Sequence, residues 1–179
     1  PFEVVPGVTS AISVPAGAGI PVTHRGITTA FTVVTGHEEP GKDENLDWEA
    51  LAKVGGTLVV LMGVARLREN ASALLEGGRS PETPAALIER GWSPEERLVV
   101  GTLGDIVERA RGADVKSPAI LVVGDVVSLA EKLKPATIAI LRPEGRGDES
   151  ERIARDLGFR PILAPSIAFR ELSLPTDLP

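Results

Sequence analysis

Thr9 and Ser10 stand directly after the run Phe2 to Val5 and the break Pro6-Gly7. Pro offers no N–H and Gly admits positive φ, so the pair marks a tight turn. Either hydroxyl is placed to cap a following helix. A strand, a turn and a helix start bring free backbone N–H groups to one point, which receives a polar ligand or simply joins two elements. Other chemistry is more restricted. The 179 residues contain no Cys, which excludes disulfides, thiolate nucleophiles and Cys-ligated metals and suits a reducing cytosol. His24 and His37 have no third ligand at a suitable spacing and make a poor metal site. Ser10 with His24 is no hydrolase pair, because neither a nucleophile elbow nor an acidic partner accompanies them. Arg146-Gly147-Asp148 reads as a helix start rather than an adhesion motif, with Asp148 as N-cap and Glu151 three residues on.

The elements that must hold these residues follow from periodicity and breakers. Phe2–Val5 reads as a buried strand, and residues 10–18 as a helix that Pro15 must bend or split. Ile27–Thr35 is a strand, residues 37–45 a polar loop and Asp47–Lys53 a short helix with Trp48 and Leu51 inward. Thr57–Met62 is a continuous apolar run, hence a central strand. Leu67, Ala71, Leu74 and Leu75 have helical spacing within Leu67–Glu76. Ala85–Glu89 and Arg97–Thr102 form an antiparallel hairpin, and Thr102 caps a helix Leu103–Arg109. Ala119–Val123 is the last strand of this unit, and Ser128–Leu133 a closing turn or helix. Lys134-Pro135 is the best boundary. Beyond it strand Thr137–Leu141, helix Asp148–Leu157 and strand Pro161–Leu163 begin a βαβ unit, too short to bury much surface alone.

Composition narrows the class. At 42 % hydrophobic residues the chain can bury a core, and its length allows one or two domains. A net charge of −6 argues against nucleic acid and against an acidic membrane surface as partners. It also requires a local basic patch for any anionic substrate. No apolar run approaches ~18 residues, and no basic-then-apolar leader precedes the first turn. Pro1 is no initiator residue, so the chain reads as a piece of a longer protein.

The blocks Val4-Val5-Pro6-Gly7-Val8-Thr9-Ser10-Ala11 and Ala18-Gly19-Ile20-Pro21-Val22-Thr23-His24-Arg25-Gly26 resemble the uroporphyrinogen-III C-methyltransferases of the tetrapyrrole methylase family. The resemblance resumes at Val34-Thr35-Gly36-His37, Leu58 to Gly63, Thr83-Pro84-Ala85, Glu89-Arg90-Gly91, Gly101-Thr102-Leu103 and Ser117 to Gly124. It implies an α/β fold: residues 1–134 as the mixed-sheet C-terminal half of the methylase domain, followed by a partial βαβ unit in residues 135–179. It further implies methyl transfer from S-adenosyl-L-methionine to ring carbons of uroporphyrinogen III, giving precorrin-2, by a cytoplasmic homodimer. Thr9, Ser10, Met62 and Gly91 match donor-contacting positions, with Ala85 in the same neighbourhood. The Met62 thioether suits a flat ring, and Gly91 lets a ligand approach the main chain. Plain capping, core packing and an ordinary hairpin turn are the alternatives for these residues. His24 and Arg25 are candidates for substrate carboxylates, or else for a salt bridge and a loop cap, and His37 is a further cleft candidate. No catalytic residue and no metal site is assigned.

The family usually has Tyr where this chain has Gly17, which puts the pocket beside residues 9–20 in question. The family's N-terminal half, with its Gly-rich donor loop and acid/base residues, has no counterpart here, so the chain alone is expected not to catalyse. Ile138 to Gly145 and Leu157-Gly158-Phe159 resemble the opening of uroporphyrinogen-III synthase, which implies a fusion of the two. The alternatives are another precorrin or cobalt-precorrin methyltransferase, or a non-catalytic binding or dimerisation module.

Overall fold

A computed structural model describes residues 2–36, 46–134, 136–165 and 168, so His37 lies outside the described residues. The chain divides into two compact units, Pro1–Lys134 and Pro135–Pro179.

Runs of β-branched and aliphatic residues make the first unit's sheet. Its strands are β1 (Phe31–Thr35), β2 (Thr57–Leu61), β3 (Pro84–Glu89), β4 (Arg97–Thr102) and β5 (Ala119–Val123). They form one five-stranded sheet in the order β1-β2-β5-β3-β4. β1 is parallel to β2, whereas β5 is antiparallel to both of its neighbours, β2 and β3. β3 and β4 are the expected antiparallel hairpin, registered from Pro84 opposite Thr102 to Glu89 opposite Arg97.

Alternation of side chains sorts the central strands onto two faces. Leu58, Val60, Ala85, Leu87, Leu121 and Val123 share one core, closed by α2 (Trp48–Val54), α3 (Leu67–Glu76) and α4 (Ile106–Gly112). Val59, Ala86, Ile88, Ile120 and Val122 share the other, covered by α1 (Ser10–Gly17) and by the turn and short helix α5 (Ala130–Leu133) that follow β5. A strand apolar on both faces needs cover on both, and this sheet has it.

Most element boundaries agree with the sequence to within a residue or two, and the exceptions are informative. Phe2–Val5 forms no strand: Phe2 is 93 % exposed, and none of the described residues pairs with this run. Apolarity alone does not make a strand without a neighbouring edge. β1 starts at Phe31, because Thr23–Ala30 is spent on a turn in which His24 and Thr28 pair. α1 is unbroken despite Pro15, which lies in the last turn and whose carbonyl accepts from Ala18 and Ile20. Thr102 does not cap α4. The Leu103 and Gly104 amides are taken by the Thr83 and Pro81 carbonyls, and Asp105 becomes the residue before the helix.

The far edge of the sheet, where β2 begins and β5 ends, is fastened by Arg79. Its Nη2 donates to the Gly56 carbonyl at 2.6 Å and reaches Val123 O at 3.5 Å. Burial pushes this guanidinium down from its ordinary pKa, while Asp125 opposes that shift.

In the second unit β6 (Thr137–Ile140), α6 (Asp148–Asp156) and β7 (Arg160–Leu163) form a βαβ unit with a parallel strand pair. Here Gly147, not Asp148, precedes the helix, and no side chain caps it. Asp148 occupies the first helical position instead, where a negative charge favours the helix dipole.

Asp105 links stability to pH. One carboxylate oxygen accepts from the Thr102 amide at 2.7 Å and the other from Arg109 Nε at 2.6 Å, in that order of effect, and together they hold its pKa below the usual carboxylate value. A carboxyl depressed in the folded state stabilises above its unfolded pKa, and that contribution disappears as pH falls through the folded one. Asp105→Asn should therefore lower the urea midpoint at neutral pH and flatten its fall below about pH 4, as measured by denaturation across pH.

Candidate functional site

Because β1 is parallel to β2, and β2 and β3 both oppose β5, the carboxyl ends of β1, β2 and β3 lie on one edge of the sheet. In open α/β sheets ligands sit outside such ends. Three candidate segments emerge here: Gly36 after β1, Met62-Gly63 after β2, and Arg90-Gly91-Trp92 after β3. The β2–β5 register, continued by two residues from Val60 opposite Leu121, sets Met62 beside Ala119. Glu89 faces Ala119 from the other side, and the Arg90 amide donates to Pro118 O at 2.9 Å. Met62 and the β3 terminus are thus about 10 Å apart, two strand spacings.

Met62 leaves the strand at φ 54° with its side chain 65 % exposed. A non-Gly residue in this region carries roughly 1–2 kcal/mol of strain. The thioether is held out of the core, open to a flat apolar ligand. The backbone around it is packed tightly: a Cβ on Gly36 would lie 2.7 Å from the Gly63 Cα and 2.6 Å from Asn70 Nδ2. The buried Asn70 side chain donates to the Gly36 carbonyl at 3.1 Å, so α3 fixes the ends of β1 and β2 together. Asn70 was not singled out from the sequence. Its signal was present, as a polar residue on the apolar face that carries Leu67, Ala71 and Leu74.

The turn after β3 is fastened to α1. Gly91 lies against Val14, where an added Cβ would meet Cγ1 at 2.4 Å. Trp92 Nε1 donates to the Ser13 carbonyl at 2.7 Å, and the Trp92 amide donates to Glu96 Oε2 at 2.9 Å. The indole also lies on Gly17, whose hypothetical Cβ would be 2.8 Å from the ring. The space that a larger residue at position 17 would fill is therefore occupied by Trp92. Thr9 caps α1, its hydroxyl accepting from the Ala11 amide at 3.3 Å, and Ser10 opens the helix. Both are exposed. Thr9 lies about 7.5 Å along the helix axis from Val14, and so on the helix that touches Gly91.

Ala85 stands apart. It is the second residue of β3, about 20 Å of strand from Gly91, and its side chain is fully buried in the core facing α2–α4. His24 and Arg25 begin a tight turn closed by paired His24–Thr28 backbone bonds of 3.1 and 3.0 Å, with Gly26 at φ 82°. Both side chains are exposed, and neither makes an ion pair among the described residues. An opening of about 430 Å³ beside the hairpin is lined by Glu89, Arg90, Arg97, Asp114 and Lys116 among others. Most of these charges are already matched: the buried Glu89 pairs with Arg97, and Lys116, 2.9 Å from Asp114, holds that carboxyl below its usual pKa. Among the described residues no group of His, Cys, Asp or Glu is arranged to hold a metal, and no helix is long and apolar enough to cross a membrane.

Comparison with known proteins adds a family to this geometry. The profile of Tetrapyrrole (Corrin/Porphyrin) Methylases matches residues 1–107. The S-adenosyl-L-methionine-dependent uroporphyrinogen III methyltransferase of Methanosarcina barkeri is 59 % identical over 133 residues, 74 % of this chain and 52 % of its own length. The porphyrin biosynthesis protein HemD of Ruminiclostridium josui is 39 % identical over 176 residues, 93 % of this chain and 35 % of its own. Among solved structures, uroporphyrin-III C-methyl transferase from Thermus thermophilus, complexed with S-adenyl homocysteine, is 42 % identical with a TM-score of 0.60, covering 71 % of this chain and 52 % of that one. The chain spans about half the length of the methyltransferases it matches.

The edge is testable by stability alone. Met62→Gly should relieve the positive φ and raise unfolding free energy by about 0.5–1 kcal/mol, read from a urea titration. Gly91→Ala should do the reverse, lowering it by about 1–3 kcal/mol as its Cβ meets Val14.

Proposed function

This chain belongs to the tetrapyrrole methylase family, and from that premise we propose that its protein methylates ring carbons of uroporphyrinogen III to give precorrin-2. The methyl donor is S-adenosyl-L-methionine, whose sulfonium supplies an already activated methyl group. What remains for the chain is chiefly binding and orientation.

The observation that carries this reading is the strand-end edge, where Met62 is strained outward between the segments after β1 and β3. The residues there fit the donor. Met62 offers a polarizable thioether to the adenine ring. Gly91, whose missing side chain makes room for Val14 rather than for a ligand, offers its main-chain N–H and carbonyl. Thr9 and Ser10, exposed at the start of α1, offer hydroxyls and amides to the donor's polar groups. Ala85 has no such exposure, and any part it plays passes through the backbone of β3.

His24 and Arg25 form the substrate side of the proposal. The substrate carries many carboxylates, while the chain carries −6 overall, so an exposed Arg25 must work against the general field; its turn leads into the amino end of β1, where Thr28 and Ala30 lie against Gly56 at the edge opposite Met62. A rigid turn presenting Arg25 beside His24 suits that task. Dimerisation and a cytoplasmic setting complete the reading as the family resemblance implies them.

Residues 135–179 are read as the start of a uroporphyrinogen-III synthase fused to the methylase. The alignment with the Ruminiclostridium josui protein supports this, since it extends over 93 % of the chain and so across both units. The βαβ order of β6, α6 and β7 is compatible with it.

Calorimetric titration of S-adenosylhomocysteine into the full-length protein tests the donor site. Binding should weaken about tenfold in Met62→Ala and by a similar factor in Thr9→Ala, each a loss of about 1.4 kcal/mol. Arg25→Ala should leave that affinity unchanged and raise the KM for uroporphyrinogen III by about tenfold or more. Equal binding by wild type and Met62→Ala would remove Met62 from the site.

A further inference from the structure

We infer that Trp92 is a positioning residue for the donor-binding edge, locking the Gly91 main chain against α1. The inference rests on the reading of Gly91 as a donor contact. Trp92 is 64 % exposed, so core burial does not account for its place. It sits at φ 66°, and Arg90 on the other side of Gly91 sits at φ 49°. Two strained residues around one glycine need something to hold them. The indole supplies it twice. Its Nε1 donates to the Ser13 carbonyl at 2.7 Å, and the Cε2–Cζ2 edge of the indole lies against Gly17, 2.8 Å from where a Cβ would stand.

The Ser13 carbonyl lies in the middle of α1, where the Gly17 amide is its helical donor, so the indole N–H is a second donor to an oxygen with two lone pairs. A bond there ties the turn after β3 directly to the body of the helix. Gly17 is the complementary half of the device, since any side chain at that position meets the ring. Gly91 closes it from beneath, against Val14. Thr9 and Ser10 ride on the same helix, so the lock fixes the distance between the two donor-contacting segments rather than either one alone.

The test uses the full-length protein, calorimetric titration with S-adenosylhomocysteine, and thermal unfolding. Trp92→Phe keeps an aromatic side chain in the turn but removes both the N–H bond to Ser13 and the indole edge that reaches Gly17; its Kd should rise about fivefold. Gly17→Ala keeps the indole and displaces it; its Kd should rise by a similar factor, although Ala favours the helix. In the Trp92→Ala background Gly17→Ala should add little, because both act through one contact. All of these should leave Tm within about 3 °C of wild type, as expected for an exposed residue. Wild-type affinity in Trp92→Phe, full additivity of Gly17→Ala with Trp92→Ala, or a loss confined to Tm would each overturn the inference. A wild-type protein that does not bind S-adenosylhomocysteine would instead overturn the donor reading itself.

Discussion

One strand direction organises the molecule. β5 runs against both β2 and β3, and this forces those two strands to point the same way although they are separated by a whole strand. Had β5 been parallel to either, the segments after β2 and β3 would leave the sheet at opposite edges. As it is, Met62 and Gly91 emerge on either side of Ala119 and Pro118, and β1, parallel to β2, adds Gly36 to the same edge. The pairing is protected by depth: Val59, Ile88 and Val122 are inaccessible on one face, and Leu58, Leu87 and Leu121 nearly so on the other. A slip of one residue would invert every one of those side chains, so the site's geometry inherits the stability of the core.

Much of this was legible because it depends on local patterns. β4, β5 and α3 have the sequence-expected bounds, since a continuous apolar run between breakers and a 3.6-residue spacing are strong signals. What could not be read was whatever depends on a partner distant in sequence. Phe2–Val5 has the composition of a strand but no edge to pair with among the described residues. Thr102 has the chemistry of a cap, yet Thr83 and Pro81 accept the next two amides and move the helix start three residues on.

The candidate site shows the same division. Thr9 as a cap and Met62 at a strand end follow from the sequence, and the structure has them there. That Gly91 and α1 touch could not follow, because Val14 and Gly91 are far apart in the chain and meet only once the sheet is assembled. In the sequence Trp92 is one residue of the link between Glu89 and Arg97, and Gly17 is a position that lacks the family's ring. Only the fold shows that the one fills the space above the other. Ala85 has a relation to Gly91 that the sequence did not show: it lies near the start of β3, about 20 Å of strand away, with its side chain in the core.

Backbone strain gives an independent account of which edge has work to do. Non-Gly residues at positive φ among the described residues are Met62, Arg90, Trp92 and Asp114. Met62, Arg90 and Trp92 follow the carboxyl ends of β2 and β3, and Asp114 precedes the amino end of β5, so all four belong to one edge. The opposite edge needs left-handed backbone as well, before β2, before β3 and after β5, and there it uses Gly55, Gly56, Gly78 and Gly124. Glycine removes the steric cost at any such position. Glycine at one edge and Met, Arg and Trp at the other means that these three residues carry a local penalty, whereas Asp114 is the left-handed stop after α4, with Val115 donating to Ala110 O. Packing does not offset it at Met62, which is largely exposed, whereas at Trp92 the indole's bond to the Ser13 carbonyl and its contact with Gly17 do. A strained, exposed Met62 at a strand end, with no packing to offset the strain, is the observation on which the proposed donor site rests.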